Sequence, residues 1–428
     1  MPGNGLWDVI VVGGGPAGMI AAGRAGQLGR SVLLLEKNAG LGKKLLITGG
    51  GRCNITNNRP QVRAMLEKYK GSDQFLFSAF TQFGVAEALK FFNDRGLKTK
   101  EEAEGRVFPM TEKARSVWGA LVSYMKAGGV RVRVNAAVVS VEIEPKTKRF
   151  VIKLKTGETL TARACILATG GMSRPETGST GEGFKWLKKL GHTVIANDFA
   201  LVPVALKDSW VKKLAGLTLN DIKLTVFQDG VKQSVKKGKL LFTHFGISGP
   251  TVLNLSKEIA EFLGYGEVVL MLDLFPTLEH GQVKQRLQEL LTQESNKKLK
   301  NSLSRLAPAA LVADLLKQAG INGEAPGHSV RSTDRVKIVT LLKAIPLHVK
   351  GLLGANKAVV SSGGVALKEV DFRTMESRLV PNLYIIGDLL NIDRPSGGYS
   401  LQLCWTTGFV AGTHSAAGKS GVGPSWEV

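Results

Sequence analysis

The chain has 428 residues, of which 57 are Lys or Arg and 35 are Asp or Glu, so its formal net charge is +22. No run reaches the roughly 18 uncharged apolar residues of a membrane span, and three cysteines without a CxxC pair argue against a zinc site or a disulfide framework. We therefore expect a cytoplasmic globular protein with neither a metal nor a membrane segment. The basic excess indicates a polyanionic partner, although a solvated basic surface would give the same count.

The first forty residues have the pattern of a dinucleotide-binding βαβ unit. Residues 9–12 form a buried strand, a glycine turn follows, and a helix starts at about Ala17. A second buried strand ends at Glu36, where a carboxylate can accept hydrogen bonds from ribose hydroxyls. The turn is a GxGxxG motif made by Gly13, Gly15 and Gly18. Strand, turn, helix and acid in register predict bound pyrophosphate at the helix N-terminus.

The next unusual segment is LLITGGGRCNITN, residues 45–57, which is too rich in glycine and polar residues to be core. Alternating strands then lead to an apolar run that ends in ATGG, residues 168–171. From about Ala196 the pattern changes to strands followed by helices. Near residue 350 the glycine-and-strand character returns, with a buried strand ending at Gly387 and Asp388 and a glycine turn that opens a C-terminal helix.

These changes of pattern predict three segments. Residues 1–195 would form the first part of a nucleotide-binding domain, and residues 351–428 its second part. Residues 196–350 would be an insert, β-rich and then helical. No internal repeat is evident in the sequence.

The motifs together resemble the YhiN/BaiN/RdsA-like FAD-dependent oxidoreductases along essentially the whole chain. The resemblance rests on GGGPAG, GKKLLITGGGRCNITN, GRVFP, ATGG with TGSTGEG, LLFTHFGISGP, SSGGV, TMESRLVPNLYIIGD and SGGYSLQ. It implies an α/β fold: a Rossmann-like FAD-binding domain of the two-dinucleotide-binding-domain type, with an inserted β-rich domain and a small helical domain. One departure is Arg394-Pro395-Ser396, which puts local loop geometry and any transferred role for these residues in doubt.

Motif and resemblance together give a predicted FAD-binding set. Its members are Gly13, Gly15, Pro16, Ala17, Gly18, Glu36, Lys37, Gly51, Arg52, Cys53, Asn54, Val138, Thr169, Gly170, Gly387, Asp388, Gly397, Gly398, Tyr399 and Leu401. In this set Arg52 would pair with phosphate or with charge on reduced flavin, and Asp388 would bind the ribityl chain. Asp388 could also cap a helix.

Three residues are predicted to be catalytic: Cys53, Tyr399 and His244. Cys53 has no second cysteine nearby, so a redox disulfide in the loop is excluded, and a general acid remains one interpretation. The other is a small residue that packs under the loop. Arg52 should keep the thiol within reach of a thiolate. His244 is expected either at a substrate channel or buried as a structural residue.

The resemblance implies two functions of different kinds. In the first, reduced FAD saturates a uracil ring of large-subunit ribosomal RNA to give dihydrouridine. In the second, the enzyme oxidises or reduces a small metabolite, as amine oxidases and enone reductases do. A non-catalytic FAD-binding protein of the ribosome is a weaker third interpretation.

The distribution of charge favours RNA. Residues 1–195 hold 30 basic and 15 acidic residues, residues 196–350 hold 21 and 14, and residues 351–428 hold 6 and 6. No second GxGxxG motif follows a strand, so the flavin is expected to be reduced either by NADPH or NADH that docks transiently or by a separate reductant. The sequence does not indicate an oligomeric state.

Overall fold

A computed structural model describes residues 5–69, 71–195, 199–353, 360–361 and 363–417. The chain divides into two compact units. Unit 1 comprises residues 1–199 and 359–428, and unit 2 comprises residues 200–358. The insert predicted from the sequence covers residues 196–350.

Within the described residues the strands, numbered in chain order, are β1 (Leu6–Val12), β2 (Val32–Leu35), β3 (Thr56–Asn57), β4 (Thr99–Glu102), β5 (Arg106–Pro109), β6 (Arg131–Arg133), β7 (Val138–Ile143), β8 (Phe150–Leu154), β9 (Thr159–Leu167), β10 (Val194–Ile195), β11 (Phe199–Ala200), β12 (Val204–Leu206), β13 (Thr218–Gln228), β14 (Val231–Thr243), β15 (Gly246–Ser248), β16 (Val268–Asp273), β17 (Ile345–Leu352), β18 (Val360–Ser361), β19 (Gly364–Val365) and β20 (Leu383–Ile385). The α-helices of the same residues are α1 (Pro16–Gln27), α2 (Lys43–Ile47), α3 (Val62–Leu66), α4 (Asp73–Gln82), α5 (Val85–Asn93), α6 (Ala114–Ala127), α7 (Glu182–Lys189), α8 (Pro250–Leu263), α9 (His280–Gln293), α10 (Leu299–Leu303), α11 (Ala309–Ala319), α12 (Ser332–Lys343) and α13 (Tyr399–Ala416).

Unit 1 is built on a seven-stranded sheet of order β6-β2-β1-β9-β8-β7, with β20 beside the last part of β9. Strands β6, β2, β1, β9 and β20 are parallel, whereas β7 and β8 form an antiparallel extension. Parallel central strands are buried on both faces, and the continuous apolar runs of β1 and β2 meet that requirement. The carboxyl ends of β1, β9 and β20 therefore lie at one edge of the sheet.

Helices α1 and α13 pack closely against each other. A Cβ at Gly408 would lie 2.5 Å from the carbonyl oxygen of Ala17, and one at Gly412 would lie 2.5 Å from that of Ala21. Glycine at these positions lets the two backbones approach. The C-terminal helix is thereby held against the first helix of the βαβ unit.

Unit 2 contains a closed six-stranded antiparallel barrel, β12-β15-β14-β13-β16-β17. Helix α8 packs against the barrel strands, and α9 to α12 follow β16 along the chain. The barrel and these helices share one hydrophobic core. The expected fold class, a Rossmann-like α/β domain with additional β-rich and helical parts, is confirmed, and the helical part packs on the barrel within that single core.

Candidate active site

Three segments that are far apart in the sequence meet at the carboxyl edge of the parallel sheet. They are the turn after β1, the ATGG segment after β9 and the Gly387–Asp388 pair after β20. A Cβ at Gly13 would lie 2.4 Å from the carbonyl oxygen of Ala168, and one at Gly387 would lie 3.2 Å from Cβ of Ala17. In open parallel sheets, ligands bind at this edge.

The glycines of the GxGxxG turn have different roles. At Gly18 a Cβ would lie 2.0 Å from the carbonyl oxygen of Gly13, so this glycine is required by packing inside the protein. At Gly15 no heavy atom lies within 4 Å of a Cβ position, so that side of the turn is open. Helix α1 starts at Pro16 with neither a capping side chain nor an acid in its first turn. Its first N–H groups and this open space form a cradle for phosphate.

Glu36 is buried where β2 ends, as the sequence predicts. One carboxylate oxygen accepts a hydrogen bond from the N–H of Gly14 (2.9 Å), and the other accepts bonds from the main chain and side chain of Asn38 (2.8 and 2.7 Å). Val138 is buried at the start of β7. The ammonium of Lys37 pairs with Glu182 at 2.6 Å, and the role of Lys37 in cofactor binding stays a prediction.

The glycine-rich loop lies beside α2, and Gly49, Gly50 and Gly51 all adopt positive φ (60°, 69° and 88°). A residue with a Cβ would be strained in this left-handed region. Three buried acceptor oxygens near these segments have no hydrogen-bond partner: Oδ1 of Asn54, Oδ1 of Asn57 and Oγ1 of Thr169. Buried polar atoms of this kind usually have a partner, and a ligand can supply it.

These features fit FAD. The open Gly15 cradle suits the pyrophosphate, the carboxylate of Glu36 suits a ribose, and the unsatisfied acceptors suit the N–H and O–H donors of the flavin part. Two other members of the predicted binding set are Gly170, which has φ 75° within the ATGG segment, and Leu401, which is buried in the first turn of α13.

The Arg52 side chain has partners within the protein. Its guanidinium pairs with Glu102 at 2.5 Å and Glu112 at 3.2 Å, and it stacks over the ring of Phe108 at 4.2 Å. Two carboxylates and an aromatic face hold the terminal nitrogens of the cation, whereas its buried Nε has no hydrogen-bond partner among the described residues. These contacts favour a role for Arg52 in holding the loop, and its pairing with phosphate or reduced flavin stays a prediction.

Burial of Cys53 bears on its two interpretations. The residue is fully buried, has a φ of 64°, and donates its main-chain N–H to the carbonyl oxygen of Thr48 at 3.0 Å. Burial raises the pKa of the thiol to about 12, so Arg52 does not produce a thiolate. A fully enclosed thiol favours the second interpretation, a small residue that packs under the glycine loop.

Asp388 lies in a buried cluster of charge. Its carboxylate is paired with the guanidinium of Arg394 and lies 3.8 Å from the ammonium of Lys44. Burial would raise the pKa of Asp388, but the charges of Arg394 and Lys44 outweigh it and hold that pKa below its usual value. Burial also lowers the pKa of Lys44, against the opposing effect of Asp388. The cluster thus places two cations around one anion.

Arg394 is the residue that sequence reasoning left without a role. Its side chain is 1% exposed, and it also donates to the carbonyl oxygen of Ile392 (2.7 Å) and to Oγ of Ser400 (3.1 Å). Lys44 donates to Oγ of Ser173 at 3.1 Å. Lys44 stands inside the quoted GKKLLITGGG motif, but only the fold shows that it reaches Asp388.

The first turn of α13 completes the site. Gly397 and Gly398 adopt positive φ (116° and 101°), and a Cβ at Gly398 would lie 2.4 Å from the main chain of Thr56. Tyr399 is buried, and its carbonyl oxygen accepts a hydrogen bond from the hydroxyl of Tyr69 (2.7 Å). Burial raises the pKa of the Tyr399 phenol, with Arg59 acting in the opposite direction. Tyr399 therefore holds its proton at neutral pH.

His244 belongs to unit 2, in the turn between β14 and β15. Its side chain is exposed and contacts the ring of Phe245 edge-on, with the ring centroids 4.8 Å apart. A buried structural histidine is therefore excluded. Its catalytic role stays a prediction.

Single substitutions of Cys53 and of Tyr399 test which of these two residues donates the proton. We expect Cys53→Ala to keep FAD and turnover within about tenfold of the parent chain, because the thiol is enclosed. Tyr399→Phe should keep FAD and flavin reduction but lose turnover by about 10²–10⁴-fold, the usual contribution of a general acid. Stopped-flow spectroscopy of flavin reduction and of subsequent oxidation by substrate measures both steps. A loss of that size in Cys53→Ala would restore the acid role to the thiol.

Two further observations concern the described residues as a whole. Among them no helix is both long enough and apolar enough to cross a membrane. The same residues contain no group of three or more His, Cys, Asp or Glu side chains placed to hold a metal ion.

Comparison with known proteins identifies the family of the chain. The model of the HI0933-like protein Rossmann domain matches residues 7–414. The 3-dehydro-bile acid delta(4,6)-reductase of Clostridium scindens is 31% identical over 410 residues, covering 95% of this chain and 98% of that protein. The ribosomal RNA dihydrouridine synthase of Escherichia coli is 31% identical over 417 residues, covering 97% and 99%.

A solved structure shows the same fold. It is the 3-ketosteroid delta1-dehydrogenase of Sterolibacterium denitrificans, with a TM-score of 0.55 and 16% identity, covering 97% of this chain and 100% of that chain. At this identity the likeness concerns the fold alone. With the cradle, the acid and the family match in agreement, the chain belongs to the HI0933-like family and is an FAD-dependent oxidoreductase.

Proposed function

We propose that this enzyme reduces a uridine of large-subunit ribosomal RNA to dihydrouridine. Sequence identity does not choose the substrate, because the relatives named for ribosomal RNA and for a bile acid are both 31% identical to this chain. The observation that carries the proposal is the net charge of +22. Proteins that grip nucleic acid use such an excess to neutralise phosphates, whereas a small metabolite gives no reason for it.

The reaction adds a hydride and a proton across the C5–C6 double bond of uracil. FAD, when bound and reduced, supplies the hydride, which carries two electrons and one proton. The protein must supply the second proton and hold the base still. Tyr399 is the group we propose for the proton, since its phenol is protonated and lies at the first turn of α13. The base would have to leave its stack to reach a buried site.

The charged cluster at Asp388 is proposed to act on the cofactor. Lys44 and Arg394 place two positive charges beside one carboxylate in a poorly solvated region. A surplus of positive charge there stabilises negative charge on a bound group. We propose that Asp388 holds the cofactor and that the two cations favour its reduced form.

A second candidate function is reduction of a conjugated enone in a small metabolite. The specific observation in its favour is the bile acid reductase of Clostridium scindens, which covers almost all of this chain. Both reactions saturate a carbon–carbon double bond next to a carbonyl group. An amine oxidase reaction has no such support from the relatives compared.

We also propose that NADPH or NADH reduces the flavin by transient docking, because no second GxGxxG motif follows a strand in the sequence. From the three cysteines without a CxxC pair we further propose that the enzyme works in the cytoplasm. Comparing the rates at which the two nicotinamides bleach the flavin absorbance would identify the donor. Slow reduction by both would point to a separate reductant.

Mass spectrometry of nucleosides from ribosomal RNA tests the proposed substrate. Cells that lack this gene should lose one dihydrouridine from the large-subunit RNA, and the parent gene should restore it. A gene encoding Gly15→Ala, altered in the phosphate cradle, serves as the matched control and should not restore it. An unchanged nucleoside profile in all strains would contradict the proposal.

Binding of RNA by the parent protein should weaken steeply with salt. Each neutralised phosphate of a single strand releases counterion, so the log–log slope should be about −0.7 per contact. Fluorescence anisotropy with a labelled single-stranded RNA at several salt concentrations measures it. A slope near zero would favour the metabolite function.

A further inference from the structure

Unit 2 carries a long β-hairpin whose second strand is basic. Strands β13 and β14 are paired from Thr218–Leu241 to Gln228–Val231, where the chain turns at Asp229 and Gly230. Strand β15 pairs with β14 only at residues 241–243. Along residues 231–240, β14 therefore has no strand on its other side within the described residues.

The free part of β14 carries four lysines: Lys232, Lys236, Lys237 and Lys239. The first three are exposed, and none of the four forms an ion pair with another described residue. From Lys232 to Lys239 the strand spans about 23 Å at ~3.3 Å per residue. Residues 230–257 contain no Asp or Glu, so this run of positive charge has no acid within its own segment.

The arrangement does not serve the stability of the hairpin. Lys237 lies directly opposite Lys223 across the two strands, and like charges in that position are destabilising. Lys223 is compensated from its other side by Asp273, at 2.9 Å. Lys237 has no such partner among the described residues, so a negative charge from another molecule would improve this surface.

An exposed aromatic residue lies next to the tip of the hairpin. Tyr265 is 83% exposed, in the turn between α8 and β16. That turn is fixed to the hairpin tip, because the main chains of Asp229 and Glu267 are hydrogen-bonded at 3.0 Å and the Asp229 carboxylate accepts the N–H of Glu267 at 2.9 Å. The ring is thus held by rigid backbone close to the end of the lysine strand.

We propose that the β13–β14 hairpin and Tyr265 form a binding surface for single-stranded RNA. The lysines of β14 neutralise successive phosphates, and the ring of Tyr265 stacks on an unpaired base. Proteins that bind single strands combine these two elements, a basic track and an aromatic platform. The inference deepens the proposed function by naming the surface that grips the substrate RNA outside the catalytic site.

The test compares two triple variants of the FAD-bound enzyme with the same change in net charge. One is Lys232→Gln, Lys236→Gln and Lys237→Gln in the hairpin. The control is Lys284→Gln, Arg286→Gln and Lys317→Gln on α9 and α11 of the same unit. Arg286 lies three residues before Glu289, and Lys317 lies three residues after Asp314. The probe is a labelled single-stranded oligouridine. Flavin content and melting temperature confirm that each variant is folded.

We expect the hairpin variant to lose affinity on the order of 10²-fold at ~0.1 M salt and to lower the magnitude of the salt slope by about 2. The control variant should change affinity by less than about threefold, since only long-range charge is altered. Tyr265→Ala should weaken binding by about tenfold, and Tyr265→Phe should restore it, because stacking needs the ring and not the hydroxyl.

Other outcomes distinguish the surface from the function. If the parent enzyme binds the RNA and forms dihydrouridine while the hairpin variant binds equally well, the surface is wrong and the proposed function stands. If the parent does not bind RNA, both proposals fail. Hairpin-dependent binding to vesicles that contain phosphatidylserine, without binding to RNA, would also overturn the inference and assign this surface to anionic membranes.

Discussion

Gly15→Ala is expected to leave the FAD-free protein as stable as the parent chain and to remove most of its affinity for FAD. The backbone at Gly15 has φ −78°, which alanine adopts without strain, and no atom of the protein lies within 4 Å of the new methyl group. The methyl group would instead occupy the space proposed for the pyrophosphate. Forcing an extra methyl into a packed contact costs up to about 3 kcal/mol, or about 10²-fold in Kd.

Two other glycines provide the controls. Gly119→Ala in α6 also has open space around the new Cβ, and it should change neither FAD affinity nor stability by much. Gly18→Ala should lower the melting temperature of the FAD-free protein, since its Cβ would lie 2.0 Å from the carbonyl oxygen of Gly13. Isothermal titration with FAD and thermal melts of all three variants measure the difference. Normal FAD binding by Gly15→Ala would place the cofactor elsewhere.

Asp388→Asn is expected to lower the free energy of unfolding by about 3–5 kcal/mol, because it leaves the buried cation of Arg394 without its anion. The double variant Asp388→Asn with Arg394→Met should recover part of this loss, since the guanidinium is removed together with its anion and only the ammonium of Lys44 is left uncompensated. Denaturant titrations of the four proteins give the coupling energy directly. The exposed pair Lys90–Asp94 is the control, and Asp94→Asn should cost only a few tenths of a kcal/mol.

The pH dependence identifies the charge as the cause. The pKa of Asp388 is lowered in the folded protein, so its stabilising effect is complete above the unfolded value of about 3.9 and is lost as the pH falls below it. The difference between parent and Asp388→Asn should therefore be constant near neutral pH and shrink under acid conditions. A difference that does not depend on pH would mean that Asp388 acts by shape and not by charge.

Sequence periodicity and motif spacing predicted the parts of this fold that depend on local pattern. Three features could be predicted because each requires particular residues at fixed spacing. They are the apolar runs of β1 and β2, the glycine turn between strand and helix, and the acid at Glu36. The helix predicted from about Ala17 starts at Pro16, within the usual uncertainty of a helix end. The C-terminal helix was predicted from its glycine turn in the same way.

Contacts between distant segments could not be predicted from the sequence. The positive charge of Arg52 suggested a phosphate ligand, but Glu102 and Glu112 reach it from 50 and 60 residues away. The sequence left Cys53 open as a general acid or as a packing residue, and the fold encloses it completely. Arg394 lies only six residues after Asp388, but Lys44 reaches the same carboxylate from the opposite end of the sequence. No local pattern encodes such meetings, since each depends on how strands are ordered.

The most direct measurement of the proposed activity is a single turnover without oxygen. The FAD-bound enzyme is reduced, freed of reductant and mixed with unmodified large-subunit ribosomal RNA or, separately, with a conjugated enone. We expect RNA to restore the absorbance of oxidised flavin and to gain one dihydrouridine per flavin oxidised, with little reaction of the enone. The account would be contradicted if the enone rapidly oxidised the flavin, whereas the RNA stayed unmodified and left the flavin reduced.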